Sequence, residues 1–247
     1  MKNIILFSVL ISFLLSCQST PKDAKAKNIV EKSIEVHGGK RYDNFKAEFD
    51  FRKFHIKFIH QTENGGSLRF QYERSSKDSL GNITTDMINN EGFVRKNNGV
   101  QVKLSEKDII KYTNAVNSVA YFVLLPFKLR DKAVNLEYVG EIIIENKKYD
   151  KIKVWFDKAG GGNDFEDIYC YWFNQDTHTL DYIAYANGGP RFRRATTRQN
   201  IGGIIFQDYE NYVITDIKAQ TNDYDKAFIA GKDSLLSVIE NKNITVQ

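Results

Sequence analysis

Short turns rich in Gly and Asn recur along the chain and separate apolar segments in which hydrophobic and polar residues alternate. The turn segments are ENGGS (63–67), KNNGV (96–100), ANGGP (186–190) and QNIGG (199–203). Asn-Gly and Gly-Gly tolerate the positive φ of tight hairpins. Between residues 45 and 58 the hydrophobic residues are Phe45, Ala47, Phe49, Phe51, Phe54, Ile56 and Phe58, with a change of phase at Arg52–Lys53. This spacing is typical of all-β sheets and barrels, so it predicts a long antiparallel meander.

Two segments have a helical period instead. Residues 24–39, AKAKNIVEKSIEVHGG, predict an amphipathic helix that the two glycines end. Residues 105–108, SEKD, have the form of a capping box and predict a helix to about residue 122. Its inward face is expected to carry Ile109, Val116, Val119 and Phe122. A short helix is expected from residue 223, and residues 235–246, LLSVIENKNITV, fit either a helix or a strand.

The predicted fold class is therefore α+β and mostly β. We expect a large, curved antiparallel sheet, an unclosed β-barrel, with two or three helices covering its concave face. No internal repeat or low-complexity linker divides the sequence. A single β-rich domain is expected over residues 24–247.

The first residues have the layout of a secretory signal. Lys2 precedes an apolar stretch at residues 4–15, which would form a helix of about 18 Å, too short for a bilayer core of about 30 Å. The stretch ends in Leu-Leu-Ser-Cys (14–17), which resembles the lipobox of bacterial lipoproteins. The resemblance implies a signal peptide at residues 1–16, acylation of Cys17 and a lipidated tether at residues 17–23. The alternative is an ordinary signal peptide that is cut elsewhere, with Cys17 incidental.

One strand segment is apolar on both faces. In DIYCYWF (167–173), residues 168, 170 and 172 face one side and residues 169, 171 and 173 face the other. A sheet with one solvated face needs only one apolar side, so the second side must meet a helix, a partner or a ligand. Covering helices and a hydrophobic cavity are the two alternatives. The 17 Phe, 13 Tyr and 2 Trp of the chain suit either one.

The segment RFRRATTR (191–198) concentrates four arginines. Regular strand alternation places Arg194 and Arg198 on one face, and Arg191 and Arg193 on the other. One alternative is a solvated edge strand protected by its charges. The other is a surface for anions or a partner, because guanidinium groups match phosphate.

Other chemistry has little support in the sequence. The formal net charge of +4 is spread along the chain, so no nucleic-acid partner is expected. The four histidines have no metal-ligand spacing, and no catalytic motif or cofactor fingerprint is present. We therefore expect no metal, no cofactor and no enzymatic activity.

Three segments carry a resemblance to a known family: VHGGKRYDNF (36–45), YFVLLPFKL (121–129) and YWFNQDTHTLDYI (171–183). Their order is similar to that of bacterial lipoproteins of the outer-membrane lipoprotein-sorting type and, more distantly, to the LolA/LolB-like carriers. The resemblance implies an unclosed barrel with a hydrophobic cavity under a helical lid. The residues expected to line that cavity are Tyr121, Phe122, Leu125, Phe127, Trp155 and Trp172.

The sequence thus predicts a lipid-anchored binding protein of the bacterial cell envelope that holds an apolar ligand or acyl group. The expected location is the outer membrane, facing the periplasm, since QSTPK (18–22) lacks the acidic run of surface-export signals. One alternative is a structural or assembly lipoprotein whose own helices fill the concavity. A hydrolase-type enzyme is the third. The oligomeric state and the ligand stay open.

Overall fold

The computed structural model describes residues 23–247 except residue 64, residues 160–164 and residue 217. The predicted signal peptide and Cys17 lie outside the described residues. The helices are α1 (Ala24–His37), α2 (Glu106–Val123) and α3 (Tyr224–Ile229). The strands are β1 (Asn44–Phe51), β2 (Phe54–Thr62), β3 (Leu68–Lys77), β4 (Ile83–Asn89), β5 (Gly92–Asn97), β6 (Val100–Gln101), β7 (Val134–Ile144), β8 (Lys147–Phe156), β9 (Tyr169–Asn174), β10 (Leu180–Tyr185), β11 (Arg191–Ile201), β12 (Ile204–Ile214), β13 (Asp233–Ile239) and β14 (Asn241–Val246).

The described strands form two antiparallel sheets of seven strands each. The first has the order β14-β1-β2-β3-β4-β5-β6, and the second has the order β13-β12-β11-β10-β9-β8-β7. Neither sheet closes into a barrel, and the predicted mostly-β fold class is confirmed. Residues 235–246, which fitted a helix or a strand, form most of β13 and β14. These two consecutive strands connect the edge of one sheet to the edge of the other.

The change of phase at Arg52–Lys53 is the turn of the β1–β2 hairpin. Phe51 pairs directly with Phe54, so only two residues form the loop. Arg52 has φ of 55°, in the left-handed region. Such a two-residue loop reverses the chain without a bulge, which accounts for the broken alternation.

Asp23 contacts both α1 and β7. Its Oδ1 accepts hydrogen bonds from the backbone N–H groups of Lys25 and Ala26, at 2.9 and 3.1 Å, which caps α1. Its Oδ2 accepts the N–H of Tyr138 in β7 at 2.7 Å. Asp23 therefore belongs to the domain, although the sequence places it at the end of the tether.

The helix α2 contacts both sheets. Ser105 caps its first turn, and its buried residues are Val116 and Ala120. It packs on β3 and β4 of the first sheet. The expectation that Ile109 faces inward is wrong, since this residue is 37% exposed. The helix is buried through its C-terminal half, and its first turns remain in solvent.

The two faces of β9 contact different parts of the core. Tyr169, Tyr171 and Phe173 belong to the main core, which includes α1, the end of α2 and the first sheet. Cys170 and Trp172 belong to a second cluster, which Tyr224 and Ala227 of α3 complete on the other side of the sheet. Helices therefore cover both faces of β9, as the first of the two alternatives expected.

Two histidines are buried in the main core. His60 donates from Nδ1 to the Tyr42 carbonyl at 2.6 Å and accepts the Tyr72 hydroxyl at Nε2, 2.7 Å away. His37 accepts the Leu180 N–H at Nε2, at 3.2 Å. Burial lowers the pKa of His37 to about 3 and the pKa of His60 to about 4. Both imidazoles are therefore neutral in the folded protein.

The free energy of unfolding should consequently fall as the pH drops below about 6.5. An unfolded histidine gains its proton near pH 6.5, whereas the folded pKa values lie well below, so acid favours the unfolded state. Each buried histidine should cost about 2 kcal/mol by pH 5. Urea unfolding at pH 7 and pH 5 measures this loss, which His37→Gln should reduce by about half. His55→Gln changes an exposed histidine and is the control, so it should lose as much stability between pH 7 and pH 5 as the unmodified protein. If His37→Gln and His55→Gln changed this loss equally, its assignment to the buried histidines would be wrong.

Candidate ligand-binding cleft

A cleft of about 180 Å³ lies between the C-terminal half of α2, the β1–β2 turn and the strands β11 to β14. Its lining residues are Phe51, Arg52, Ser118, Val119, Phe122, Val123, Arg193, Gln207, Tyr209, Ile239 and Asn241. The volume corresponds to about six water molecules at about 30 Å³ each. Ligand pockets for drug-sized molecules usually begin near 300 Å³. The cleft therefore suits a small apolar group or the end of a longer chain.

Aromatic packing fixes the inner end of the cleft. The Phe122 ring lies 5.4 Å from the Tyr185 ring and 6.4 Å from the Tyr169 ring of the second sheet. The Tyr121 hydroxyl is 2.8 Å from the Tyr171 hydroxyl. These contacts hold the end of α2 on the second sheet. The concavity around them is filled by the protein's own side chains, and the cleft is the space left at its edge.

Arg193 is the charged group on the β11 side of the cleft. Its Cζ lies 4.0 Å from the centre of the Phe122 ring and 5.0 Å from that of Tyr185. Its Nη2 donates to the Tyr185 hydroxyl at 2.6 Å. Its Nε is buried and has no hydrogen-bond partner. No carboxylate of the described residues forms an ion pair with this guanidinium. Arg193 therefore places an uncompensated positive charge beside an apolar wall.

Asn241 supplies a second unpartnered polar atom. The residue is 4% exposed, and its Nδ2 donates to the Gln207 carbonyl at 2.9 Å. Its Oδ1 is buried without a partner. Gln207 in turn donates from its side chain to the Tyr209 hydroxyl at 2.7 Å. The β12–β14 side of the cleft is thus a polar strip with one free acceptor.

The predicted cavity residues of the 121–127 segment divide between the cleft and the core. Phe122 lines the cleft. The Tyr121 hydroxyl forms a hydrogen bond with the Tyr171 hydroxyl, and Leu125 is buried in the main core. Phe127 stacks on Tyr42 with ring centres 4.7 Å apart. Tyr121, Leu125 and Phe127 therefore stabilise the packing of the protein and do not line the cleft.

The two predicted tryptophans lie on the other side of the second sheet, so their grouping with the 121–127 segment is wrong. Trp172 is 0% exposed and donates from Nε1 to Asp225 of α3 at 3.0 Å. Trp155 follows Val154 in β8, and Val154 belongs to the main core. Strand alternation turns Trp155 away from that core, toward Lys153, whose Nζ is 5.3 Å from the indole ring.

The four arginines of β11 have four different environments and do not form one patch. Arg191 donates to the carbonyls of Gly188 and Pro190, and Arg194 pairs with Glu145 at 2.9 Å. Arg198 donates to Asp181 and Gln207, and Arg193 lies at the cleft. Arg194 and Arg198 do not share a face as expected. A bulge between Ala195 and Arg198 shifts the register, so Arg198 pairs with Gln207.

Several cleft residues had no sequence signal. Phe51 and Arg52 come from the first hairpin, whereas Gln207, Tyr209, Ile239 and Asn241 come from the last strands. Their only common property is a position near the junction of the two sheets, which depends on long-range pairing.

No helix among the described residues has the length and apolar character needed to cross a membrane.

Three solved structures are similar to this chain at 10% sequence identity or less. A LolA superfamily protein from Nitrosomonas europaea is 10% identical, with a TM-score of 0.47 over 89% of this chain and 92% of that chain. A DUF1329 family protein from Desulfovibrio piger is 9% identical, with a TM-score of 0.44 over 92% of this chain and 93% of that chain. An outer membrane lipoprotein-sorting protein domain from Vibrio parahaemolyticus is 8% identical, with a TM-score of 0.38 over 90% of this chain and 92% of that chain. These similarities concern the fold alone.

The family is defined by the sequence. Residues 2–241 match the model of a family of unknown function, DUF6503, and the chain belongs to that family. No curated protein matches the sequence.

Proposed function

We propose that this protein is a lipid-anchored binding protein of the cell envelope that holds an apolar ligand or acyl group in the cleft beside α2. The observation that carries the proposal is the cleft itself. Its walls include Phe51, Val119, Phe122 and Ile239. Two buried polar atoms of its lining residues, Arg193 Nε and Asn241 Oδ1, have no hydrogen-bond partner. An apolar space with a few convergent polar groups is the usual form of a small-molecule site.

The anchor and the location are part of the same proposal. Acylation of Cys17 would make residues 17–23 the lipidated tether, with six residues after the attachment point, the last of which is Asp23, the N-cap of α1. Six extended residues span at most about 20 Å, which would hold the domain and its cleft close to the membrane surface. An outer-membrane position facing the periplasm fits such a tether.

The second candidate function is a structural or assembly lipoprotein without a ligand. The packing around Tyr121 favours it, because that hydroxyl bonds to Tyr171 and the neighbouring rings occupy most of the concavity. In that case the cleft would be a space left between imperfectly packed side chains, with no ligand. The proposal includes no catalytic role, since His37 and His60 hydrogen-bond with backbone and tyrosine groups.

Filling the cleft separates the two candidates. Val119→Trp should place an indole in the cleft and reduce the apolar molecules that co-purify with the protein from its own envelope by at least tenfold. Asn117→Trp is the matched control, since residue 117 is on the exposed face of the same helix and outside the cleft. Lipid extraction followed by mass spectrometry measures the bound molecules. Recovery of no apolar molecule with the unmodified protein would favour the structural role.

A further inference from the structure

We infer that the ligand of this cleft is an anionic amphiphile whose acidic head binds Arg193 and whose short apolar part packs against Phe122, Val119 and Ile239. The inference rests on the proposed function and adds the chemical class of the ligand. Carboxylates and phosphate monoesters share the required chemistry, an anionic oxygen at the end of an apolar body.

The charges around the cleft support an anion. Its two charged lining residues are Arg52 and Arg193, and neither Asp nor Glu lines it. Other arginines of β11 have acidic partners, Glu145 for Arg194 and Asp181 for Arg198. Within the described part of the chain, no acidic group pairs with either cleft arginine. A partly buried guanidinium without a counter-ion is costly, and an anionic ligand would supply the missing partner.

The geometry of Arg193 shows where the head would bind. One face of the guanidinium covers the Phe122 ring, and Nη2 is occupied by the Tyr185 hydroxyl. The hydrogen bond to Tyr185 uses one of the five N–H donors of the guanidinium, and the buried Nε has no acceptor. An anionic oxygen of the ligand would accept from the donors that remain, in a charge-assisted hydrogen bond. Phe122 then contacts both the arginine and the apolar part of the ligand.

The volume of the cleft limits the size of the ligand's apolar part. About 180 Å³ holds about six groups of the size of a water molecule. An acid of eight carbons is larger than this space, so it would fill the cleft and leave one of its ends outside the opening. Octanoate is therefore a suitable probe, and 1-octanol is its uncharged counterpart with the same chain length.

The test compares the affinities of octanoate and 1-octanol for the full domain by NMR titration at neutral pH. We expect octanoate to bind at least tenfold more tightly, although 1-octanol is the more hydrophobic molecule. The Arg193 Nε–H resonance should shift with octanoate and stay in place with 1-octanol. Binding of 1-octanol with equal or higher affinity would overturn the anionic class and leave the proposed function intact. Binding of neither probe would overturn the proposed function itself.

Two variants of adjacent residues complete the test. Arg193→Gln should abolish the preference for octanoate over 1-octanol. Arg194→Gln is the matched control, because Arg194 is the next residue in β11 but pairs with Glu145 away from the cleft. It should keep the preference. A preference that survives in Arg193→Gln would contradict the inference, and the resonance of Arg193 in the unmodified protein decides the question if this variant does not fold.

Discussion

Replacing Cys17 with Ser should move the protein completely from the membrane fraction to the soluble fraction, or leave it as an unprocessed precursor. The lipobox-like segment Leu14–Cys17 requires a thiolate as the nucleophile for thioether formation, and a serine hydroxyl does not replace it. Stable anchoring needs more than one acyl chain, at about 0.8 kcal/mol per buried CH₂, so loss of the attachment residue removes the whole anchor.

The second cysteine provides the control. Cys170 is buried in the second hydrophobic cluster, and burial raises the pKa of its thiol to about 12, so it is unreactive. Cys170→Ala should therefore keep both membrane association and metabolic labelling with an alkyne fatty acid. Cys17→Ser should lose the labelling in every form and, once it is processed, membrane association as well. Membrane association of a Cys17→Ser protein that has been processed at another position would contradict lipidation.

The sequence was sufficient for the elements of the fold because their signals are local. The hairpin at residues 51–54 follows from the break in alternation, and Ser105 marks the start of α2 within one residue. Turns with Asn-Gly and Gly-Gly require only their own backbone conformation. Such features are visible in any single sequence.

The packing of the helices against the sheets is harder to predict from the sequence. Trp172 and Tyr171 are adjacent in β9, and alternation assigns them to opposite faces without saying which face meets α2. The choice depends on α3, which packs on the Trp172 side and is separated from β9 by about fifty residues of sequence. The misplaced tryptophans follow from this missing long-range information.

The cleft itself shows the same limitation. Alternation places Arg193 on the face of Arg191, but it does not show that Arg193 packs on the ring of Phe122 from another part of the chain. The bulge after Ala195 has no sequence signature in RFRRATTR, and it moves Arg198 away from the face of Arg194. Register and bulges are determined by pairing between strands, so single-sequence alternation fails there.

The largest loss of stability should come from Asp225 in α3. This carboxylate is 0% exposed, and its Oδ2 lies 2.7 Å from Lys151 Nζ and 3.0 Å from Trp172 Nε1. Its Oδ1 accepts the N–H of Lys226 at 2.8 Å. Asp225→Ala would leave the buried indole N–H of Trp172 without its acceptor and the buried ammonium of Lys151 without its counter-ion, although the Asn222 carbonyl still accepts a hydrogen bond from that ammonium. We expect the free energy of unfolding to fall by about 3–5 kcal/mol, a large fraction of the total for a domain of this kind.

Urea unfolding with linear extrapolation measures this loss, and two further variants show its origin. Asp223→Ala, two residues before Asp225, removes the half-buried partner of the exposed Lys226 side chain and should cost less than about 1 kcal/mol. Adding Lys151→Met to Asp225→Ala should recover part of the lost stability, because the uncompensated charge is then absent and the methionine side chain suits the apolar surroundings of Trp172. If the double variant is less stable than Asp225→Ala alone, the loss comes from the packing of α3 and not from an unpaired buried charge. Recovery would show that Lys151, Asp225 and Trp172 act as one unit that holds α3 on the outer face of the sheet and leaves the opposite face for α2 and the cleft.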